Sequence, residues 1–143
     1  MKHSLTVNAL APAELLRTAP GALAPGSVIA AVTALVAGRP RRNPADHSAS
    51  EAADHSASEA ASSAWLRAVR REKRSTGARV LDICPVPLET GFAGRAVAGT
   101  AAPMPPGGDP RQVAGTVADA LETDAGLLRT DPHGTPTVEG RAR

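Results

Sequence analysis

Two apolar runs on either side of a long segment without Pro or Gly constrain this chain most. Residues 28–37 (VIAAVTALVA) and residues 78–84 (ARVLDIC) contain β-branched members, and Gly-containing turns precede both. Such runs are typical of strands buried on both faces. Residues 45–73, between them, are rich in Ala, which predicts one long helix. A crossover helix of this length predicts a parallel, right-handed strand–helix–strand unit and therefore an α/β fold.

Two shorter helices are expected at the flanks of this unit. Residues 5–18 place Leu at helical spacing, with a kink expected at Pro12. In residues 111–123 apolar side chains recur every four positions, and the preceding Asp109-Pro110 pair offers a capping carboxylate and a first-turn Pro. Residues 85–110 are rich in Pro and Gly, which predicts a loop.

The length of 143 residues suits one domain, which we expect to span residues 1–124. Ile, Leu, Val and Phe together supply fewer than one residue in five. This is near the level at which a packed core becomes doubtful, so we expect low stability. Residues 125–143 are polar with scattered Pro and Gly, which predicts a flexible tail.

Charge and cysteine content exclude several classes of protein. The net charge of +2 is too small to imply a nucleic-acid partner. The longest apolar run has ten residues, about half of what a membrane-spanning helix needs, and polar residues interrupt the N-terminal segment, so neither a membrane partner nor a secretion signal is expected. A single cysteine, Cys84, fits a cytoplasmic location. We expect Cys84 to be a small buried residue rather than a nucleophile.

A perfect repeat, ADHSASEA, occupies residues 45–52 and again residues 53–60. The segment HSASEAASSAWLRAVRRE, which begins in its second copy, resembles the active-site helix of the short-chain dehydrogenase/reductase family. The family signature there is Tyr-x-x-x-Lys followed by an Ala-rich helix. The Tyr and Lys positions are occupied by His47 and Glu51 in one copy and by His55 and Glu59 in the other. Which copy takes the active-site register stays open.

Neighbouring segments extend the resemblance in the order that the family has. TVNALAPAELLR is similar to the family's Asn-bearing helix, with Asn8 at the motif's Asn. GSVIAAVTALVAG is similar to the strand that ends in the catalytic Ser, and Ala34 stands at the usual spacing for that Ser. VLDICPVPLETG is similar to the strand and cofactor-binding loop with Pro-Gly-x-x-x-Thr. Pro85 and Thr90 match this motif, whereas Val86 replaces its Gly.

The resemblance implies the second half of a Rossmann-like domain, derived from an NAD(P)-dependent oxidoreductase that acts on an alcohol or ketone. The 143 residues contain no Tyr, no Gly-rich phosphate-binding turn and no Asn-Asn-Ala-Gly segment. A sheet without the corresponding first strands exposes an apolar edge. We therefore expect a truncated, degenerate homologue that is inactive as an isolated chain and does not bind NAD(P) alone.

Two alternatives stay open. A non-catalytic protein could pair its helix or sheet edge with an intact paralogue, or the chain could be a remnant without a stable fold. A stripe of Ala along the long helix permits close approach of another helix. In the resembled family this helix commonly packs against its counterpart in another subunit, which implies a homo-oligomer or a hetero-oligomer. The His and Glu residues spaced by four could hold a divalent metal. Because exposed His/Glu pairs are far more common than metal sites, no metal is predicted.

Overall fold

A computed structural model describes residues 2–18, 21, 23–35, 47–91 and 107–140, with side chains except at residue 2 and residues 47–52. The elements in chain order are α1 (Lys2–Leu5), a π-helical turn (Thr6–Leu10), α2 (Ala11–Thr18), β1 (Val28–Val32), α3 (His47–Glu72), a 3₁₀ turn (Lys73–Thr76), β2 (Arg79–Cys84), α4 (Pro110–Glu122), β3 (Ala125–Thr130) and β4 (Pro136–Gly140). The fold is α/β, with an open, mostly parallel four-stranded sheet. None of the described helices is long and apolar enough to cross a membrane.

The predicted N-terminal helix is confirmed, and its irregular middle has a cause in the sequence. In a regular α-helix the N–H of residue 12 would donate to the carbonyl of Asn8, but Pro12 has no N–H. The preceding turn, Thr6–Leu10, is π-helical, and the Asn8 carbonyl accepts a hydrogen bond from the Ser62 hydroxyl of α3 instead. Because Pro12 donates no hydrogen bond to it, the Asn8 carbonyl can accept the bond from Ser62 that holds this helix against α3.

The central strand–helix–strand unit is confirmed as a parallel pair of strands joined through a helix. β1 and β2 pair in parallel, from Val28 opposite Arg79 to Val32 opposite Ile83, and α3 connects them. The 3₁₀ turn that extends α3 ends at Gly77, whose φ of 75° is the left-handed conformation that glycine adopts most readily. The first two residues of the predicted helix, 45 and 46, lie outside the described part of the chain.

The prediction that the first strand is buried on both faces is wrong. β1 ends at Val32, which is 72% exposed, and Ala30 on the same face is exposed too. The strand order is β1-β2-β3-β4, which places β1 at the sheet edge. Because α4 connects β2 to β3, it packs over those strands, and among the described residues Ala30 and Val32 of β1 stay exposed on that face.

The prediction that the domain ends at residue 124 is also wrong. Residues 125–140, expected to belong to a flexible polar tail, contain β3 and β4. β3 pairs in parallel with β2, and β4 returns antiparallel to β3. Leu128 in β3 is fully buried, so this segment contributes to the core of the domain. Residues 141–143 lie outside the described residues.

The sheet carries one apolar cluster on each face. Beneath α3 the buried members are Ile29, Leu66, Val69 and Val80, with Trp65 packed against them, as expected for a core face of this helix. Beneath α4 they are Leu81, Ile83, Ala120, Ala125 and Leu128. Both helical connections advance in the same direction across the sheet, yet their helices cover opposite faces. The two connections therefore have opposite hands, and one departs from the usual right-handed rule.

The start of α4 and the nearby loop follow the sequence closely. The Asp109 carboxylate accepts from the backbone N–H of Arg111 at 2.8 Å, and Pro110 is the first helical residue. Of the predicted loop, residues 85–91 and 107–109 are described, and Leu88 forms a parallel bridge with Gly108. Residues 92–106 lie outside the described part.

Candidate functional site

A buried polar cluster lies at the carboxyl ends of β1 and β2. Thr33, the residue after β1, donates its hydroxyl to Asp82 Oδ1 at 2.8 Å and lies 3.0 Å from the sulfur of Cys84. Ser63 on α3 donates to the Thr33 hydroxyl at 3.3 Å. All four side chains are buried. The ends of parallel strands are where open α/β sheets bind ligands, which makes this end of the sheet the place to look for a site.

Cys84 is not activated as a nucleophile in this cluster. Burial raises the pKa of its thiol to about 11, and the carboxylate of Asp82 adds to the increase, whereas the hydrogen bond with Thr33 opposes it. The thiol also donates to Asp82 Oδ1 at 3.3 Å. A thiol with this pKa stays protonated near neutral pH, whereas the form that acts as a nucleophile is the thiolate. The expectation that Cys84 is a buried structural residue is confirmed for its burial.

The structure brings Asn8 against the second copy of the repeat. The Asn8 side-chain amide donates to Ser58 Oγ at 3.0 Å, and its backbone carbonyl accepts from Ser62 Oγ at 2.5 Å. Ser58 in turn donates to the carbonyl of His55 at 2.8 Å. Asn8 therefore contacts α3 in the same stretch that contains His55 and Glu59. The matching residues of the first copy, His47 and Glu51, belong to α3 at the backbone level, and their side chains lie outside the description.

His55 and Glu59 form a one-turn pair with unequal exposure. His55 Nδ1 lies 3.7 Å from Glu59 Oε1, and the His55 side chain is 52% exposed while that of Glu59 is buried. Burial raises the pKa of the Glu59 carboxyl; the nearby His55 opposes this increase and the carboxylate of Asp82 reinforces it. Glu59 is therefore a weaker acid than an exposed glutamate, and it is never a cation. It cannot supply the ammonium charge that the resembled family places at this position.

The remaining predicted residues are spread along the strand ends. Ala34 follows Thr33 and presents only a methyl group, so it offers no hydroxyl to a substrate. Pro85 comes directly after β2, and its carbonyl accepts from Leu35 N at 3.0 Å. Thr90 is exposed, and its backbone N–H and hydroxyl both donate to the carbonyl of Leu88, two residues before it. The bond to Pro85 joins the segments that follow β1 and β2, whereas the two bonds to Leu88 hold a local turn, and none of the three involves Asn8.

Two residues that the sequence reasoning missed occupy the centre of the cluster. Thr33 is the only hydroxyl in the apolar run VIAAVTALVA, and Asp82 is the only acidic residue in the second run. A single polar residue inside an otherwise apolar strand is the signal that could have singled out both. Their contact joins positions 49 apart in sequence, which spacing alone could not predict.

A cleft of about 210 Å³ opens beside this cluster, between α3 and the strands β2 and β3. Its polar lining includes Asp82 together with three arginines, Arg67, Arg70, and Arg129. Arg70 donates its Nε to the Val80 carbonyl at 3.2 Å, and a terminal nitrogen donates to the Gly126 carbonyl. The arginine-lined cleft can attract an anion, because guanidinium groups bind carboxylates and phosphates through paired N–H donors.

No family model and no curated protein sequence matches this chain. In the part of the chain that the structure describes, no group of three His, Cys, Asp or Glu side chains is placed to hold a metal ion.

Proposed function

We propose that this chain is a degenerate homologue of the short-chain dehydrogenases, corresponding to the second half of their Rossmann-like domain, and that it does not transfer hydride on its own. The observation that carries the proposal is the hydrogen bond of 3.0 Å between the Asn8 amide and Ser58 Oγ. It joins the Asn-bearing helix to the helix with His55 and Glu59, the same two segments that the resemblance pairs in an active site. The parallel β1–α3–β2 unit supports the proposal at the level of the fold.

The chemistry of the described residues supports loss of catalysis. In the resembled family a Tyr exchanges the proton, and a Lys cation and the coenzyme lower its pKa. Here the Lys position in the described copy is the buried carboxyl of Glu59, which would oppose ionisation of a phenol, and the chain has no Tyr. An imidazole at His55 can still exchange a proton, but no partner cation is provided for it by Glu59.

The nicotinamide coenzyme does not fit the residues that the resemblance assigns to it. Val86 stands where the family has Gly, and its side chain fills space: a Cβ built on Gly108 would lie 3.2 Å from Val86 Cγ2. The Val86 N–H is already used, since it donates to Thr130 Oγ1 at 2.6 Å. Both features work against a backbone that approaches a ligand closely. The proposal is therefore that the chain alone does not bind NAD(P).

Titration of the purified chain with NADH and NADPH tests this proposal. We expect no saturable binding tighter than about 1 mM, roughly −4 kcal/mol, by calorimetry or by nicotinamide fluorescence. We also expect that the double variant His55→Tyr/Glu59→Lys reduces no carbonyl substrate, because the coenzyme site is the limiting defect. Micromolar binding of either coenzyme, or turnover by the double variant, would refute the proposal.

The open edge of β1 favours a second candidate, a non-catalytic partner of an intact homologue. β1 pairs with β2 on one side, and the described residues place no strand on its other side. The occupant would be an apolar parallel strand of that homologue, because the resembled sheet continues at this edge with a parallel strand. The exposed Val32 next to this edge adds apolar surface that such a neighbour would cover.

The variant Ala30→Pro tests whether the β1 edge is the contact with an intact homologue. Thr33 N donates to the Ile83 carbonyl, so by strand alternation the N–H groups of Ala30 and Val32 point to the free edge. Ala30→Pro therefore removes an outward donor and places a ring at the edge, without breaking the bonds to β2. Co-purification with an intact homologue should be lost in Ala30→Pro if β1 is the contact. The exposed-helix variant Ala118→Ser is the control, and equal recovery of the homologue with both variants would exclude this edge.

A further inference from the structure

The cleft beside β3 exists because the two helices cover different strands. α3 lies over β1 and β2 on one face of the sheet, and α4 lies over β2 and β3 on the other. Within the described ranges, the α3-side face of β3 is thus left open, and Leu127 and Arg129 line the cleft from this face. Neither Asn8, His55 nor Glu59 belongs to its lining. Ala34, which stands at the position of the resembled family's Ser, does line the cleft, but its methyl group offers a ligand no polar contact.

The charges in the cleft favour a negatively charged ligand. Three arginines, Arg67, Arg70 and Arg129, belong to its lining, together with a single carboxylate residue, Asp82. The Asp82 carboxylate already accepts hydrogen bonds from Thr33 and Cys84 inside the protein. The Asp82 carboxylate is therefore held by uncharged donors. The lining has three positively charged arginines and one carboxylate, so its net charge is positive.

One of the three arginines is held in place by hydrogen bonds within the protein, and the other two have guanidinium groups that can bind a ligand. Arg70 is held by the carbonyls of Val80 and Gly126 and shapes the wall. Arg67 has no hydrogen bond or ion pair with another described residue. Arg129 has a 4.0 Å ion pair with Glu139, and both of these side chains are more than half exposed. Exposed pairs of this kind contribute little, so Arg129 can turn towards a ligand at small cost.

We propose that this cleft binds a small oxyanion, a carboxylate or a phosphate, between the guanidinium groups of Arg67 and Arg129. Its volume of about 210 Å³ lies below the roughly 300–1,000 Å³ range of pockets for drug-sized ligands, which fits a ligand of a few heavy atoms. Arg67 comes from the helix and Arg129 from the strand, so a bound anion would be held from two sides. The inference does not depend on the dehydrogenase resemblance.

Calorimetric titration of the full chain with inorganic phosphate and, separately, with succinate tests the proposal and distinguishes its two sources. Sodium chloride at equal ionic strength is the reference for unspecific charge effects. We expect saturable binding of at least one of the two anions. Arg67→Gln and Arg129→Gln should each weaken it at least about tenfold, because each removes a charge-assisted hydrogen bond.

Arg71→Gln is the matched control, because Arg71 is an exposed arginine on the same helix that does not line the cleft. It removes the same charge and should change the affinity by less than about twofold. Thermal unfolding of each variant without anion verifies that the fold is kept. Equal weakening by Arg67→Gln and Arg71→Gln would overturn the proposal, as would an absence of saturable binding for both phosphate and succinate.

Discussion

Glu59 is a carboxyl group that its helix holds in a buried position, one turn from an exposed histidine. Its nearest charged neighbours act in opposite directions: His55 favours the carboxylate and Asp82 disfavours it, while burial, the largest effect, favours the neutral acid. Burial makes a negative charge at this position costly. An ionised carboxyl is therefore unfavourable at this position, and this has a measurable consequence.

The free energy of unfolding should fall as Glu59 ionises. Its pKa is raised above the ordinary value of 4.5, so the folded chain binds this proton more tightly than the unfolded chain does. Stability from this group is then complete below that ordinary value and is lost as pH rises through the folded pKa. Glu59→Gln is neutral at every pH and should escape this loss. Urea denaturation from about pH 4 to pH 8 should show the variant gaining on the parent as pH rises.

Glu122→Gln provides the matched control, because Glu122 is exposed at the end of α4. Its difference from the parent should stay nearly constant across the same pH series. Parallel profiles for the parent and Glu59→Gln would contradict a raised pKa at Glu59. The experiment needs no coenzyme and is independent of the proposed function.

At the level of elements, substitution of Ala for Gly should change the free energy of unfolding in opposite directions at two positions. Gly134, in the turn between β3 and β4, has φ of 90°, and a Cβ there would lie 2.7 Å from Gly108 Cα. Gly115 lies inside α4, and a Cβ there would meet nothing within 4 Å. Gly134→Ala should cost at least about 1 kcal/mol, from backbone strain plus the close approach. Gly115→Ala should instead stabilise by about 0.5–1 kcal/mol. Urea denaturation measures both, and a Gly134→Ala variant as stable as the parent would rule out this turn geometry.

The sequence predicted the elements whose local signals agree with their tertiary environment. The Pro- and Gly-free run of α3, the Asp109 cap of α4 and the apolar strand β2 all belong to this group. β3 and β4 were missed because AGLLRT and PTVEG carry few β-branched residues and depend on pairing with a neighbour. The turn between β3 and β4 did leave a signal in the sequence, the turn-forming residue Asp131. Asp131 accepts from the backbone N–H groups of His133 and Thr135, and these bonds lower the pKa of its carboxyl.

For the whole molecule, the sequence did not predict most of the contacts between segments that are distant along the chain. The resemblance assigned Asn8 and the repeat to one site without deciding between the two copies, and the structure places Asn8 in contact with Ser58 of the second copy. The contact of Thr33 with Asp82 and the arginine-lined cleft depend on the register of β1, β2 and β3. Register is set by the complete sheet, and β3 was not part of the predicted fold. The missed strand and the missed cleft therefore have the same cause.

A chain that ends at residue 124 should not fold cooperatively. It lacks β3 and β4, so it loses the fully buried Leu128 and uncovers Leu81 and Ile83, which pack against it in the cluster beneath α4. It also leaves the β3-facing edge of β2 unpaired. We expect a gradual thermal transition by circular dichroism, compared with a cooperative one for the full chain. In the full chain, Leu128→Ala should cost about 2–5 kcal/mol, whereas Val138→Ala at an exposed position should cost less than about 0.5 kcal/mol. A cooperative transition in the shortened chain would mean that the last two strands are not part of the folding unit.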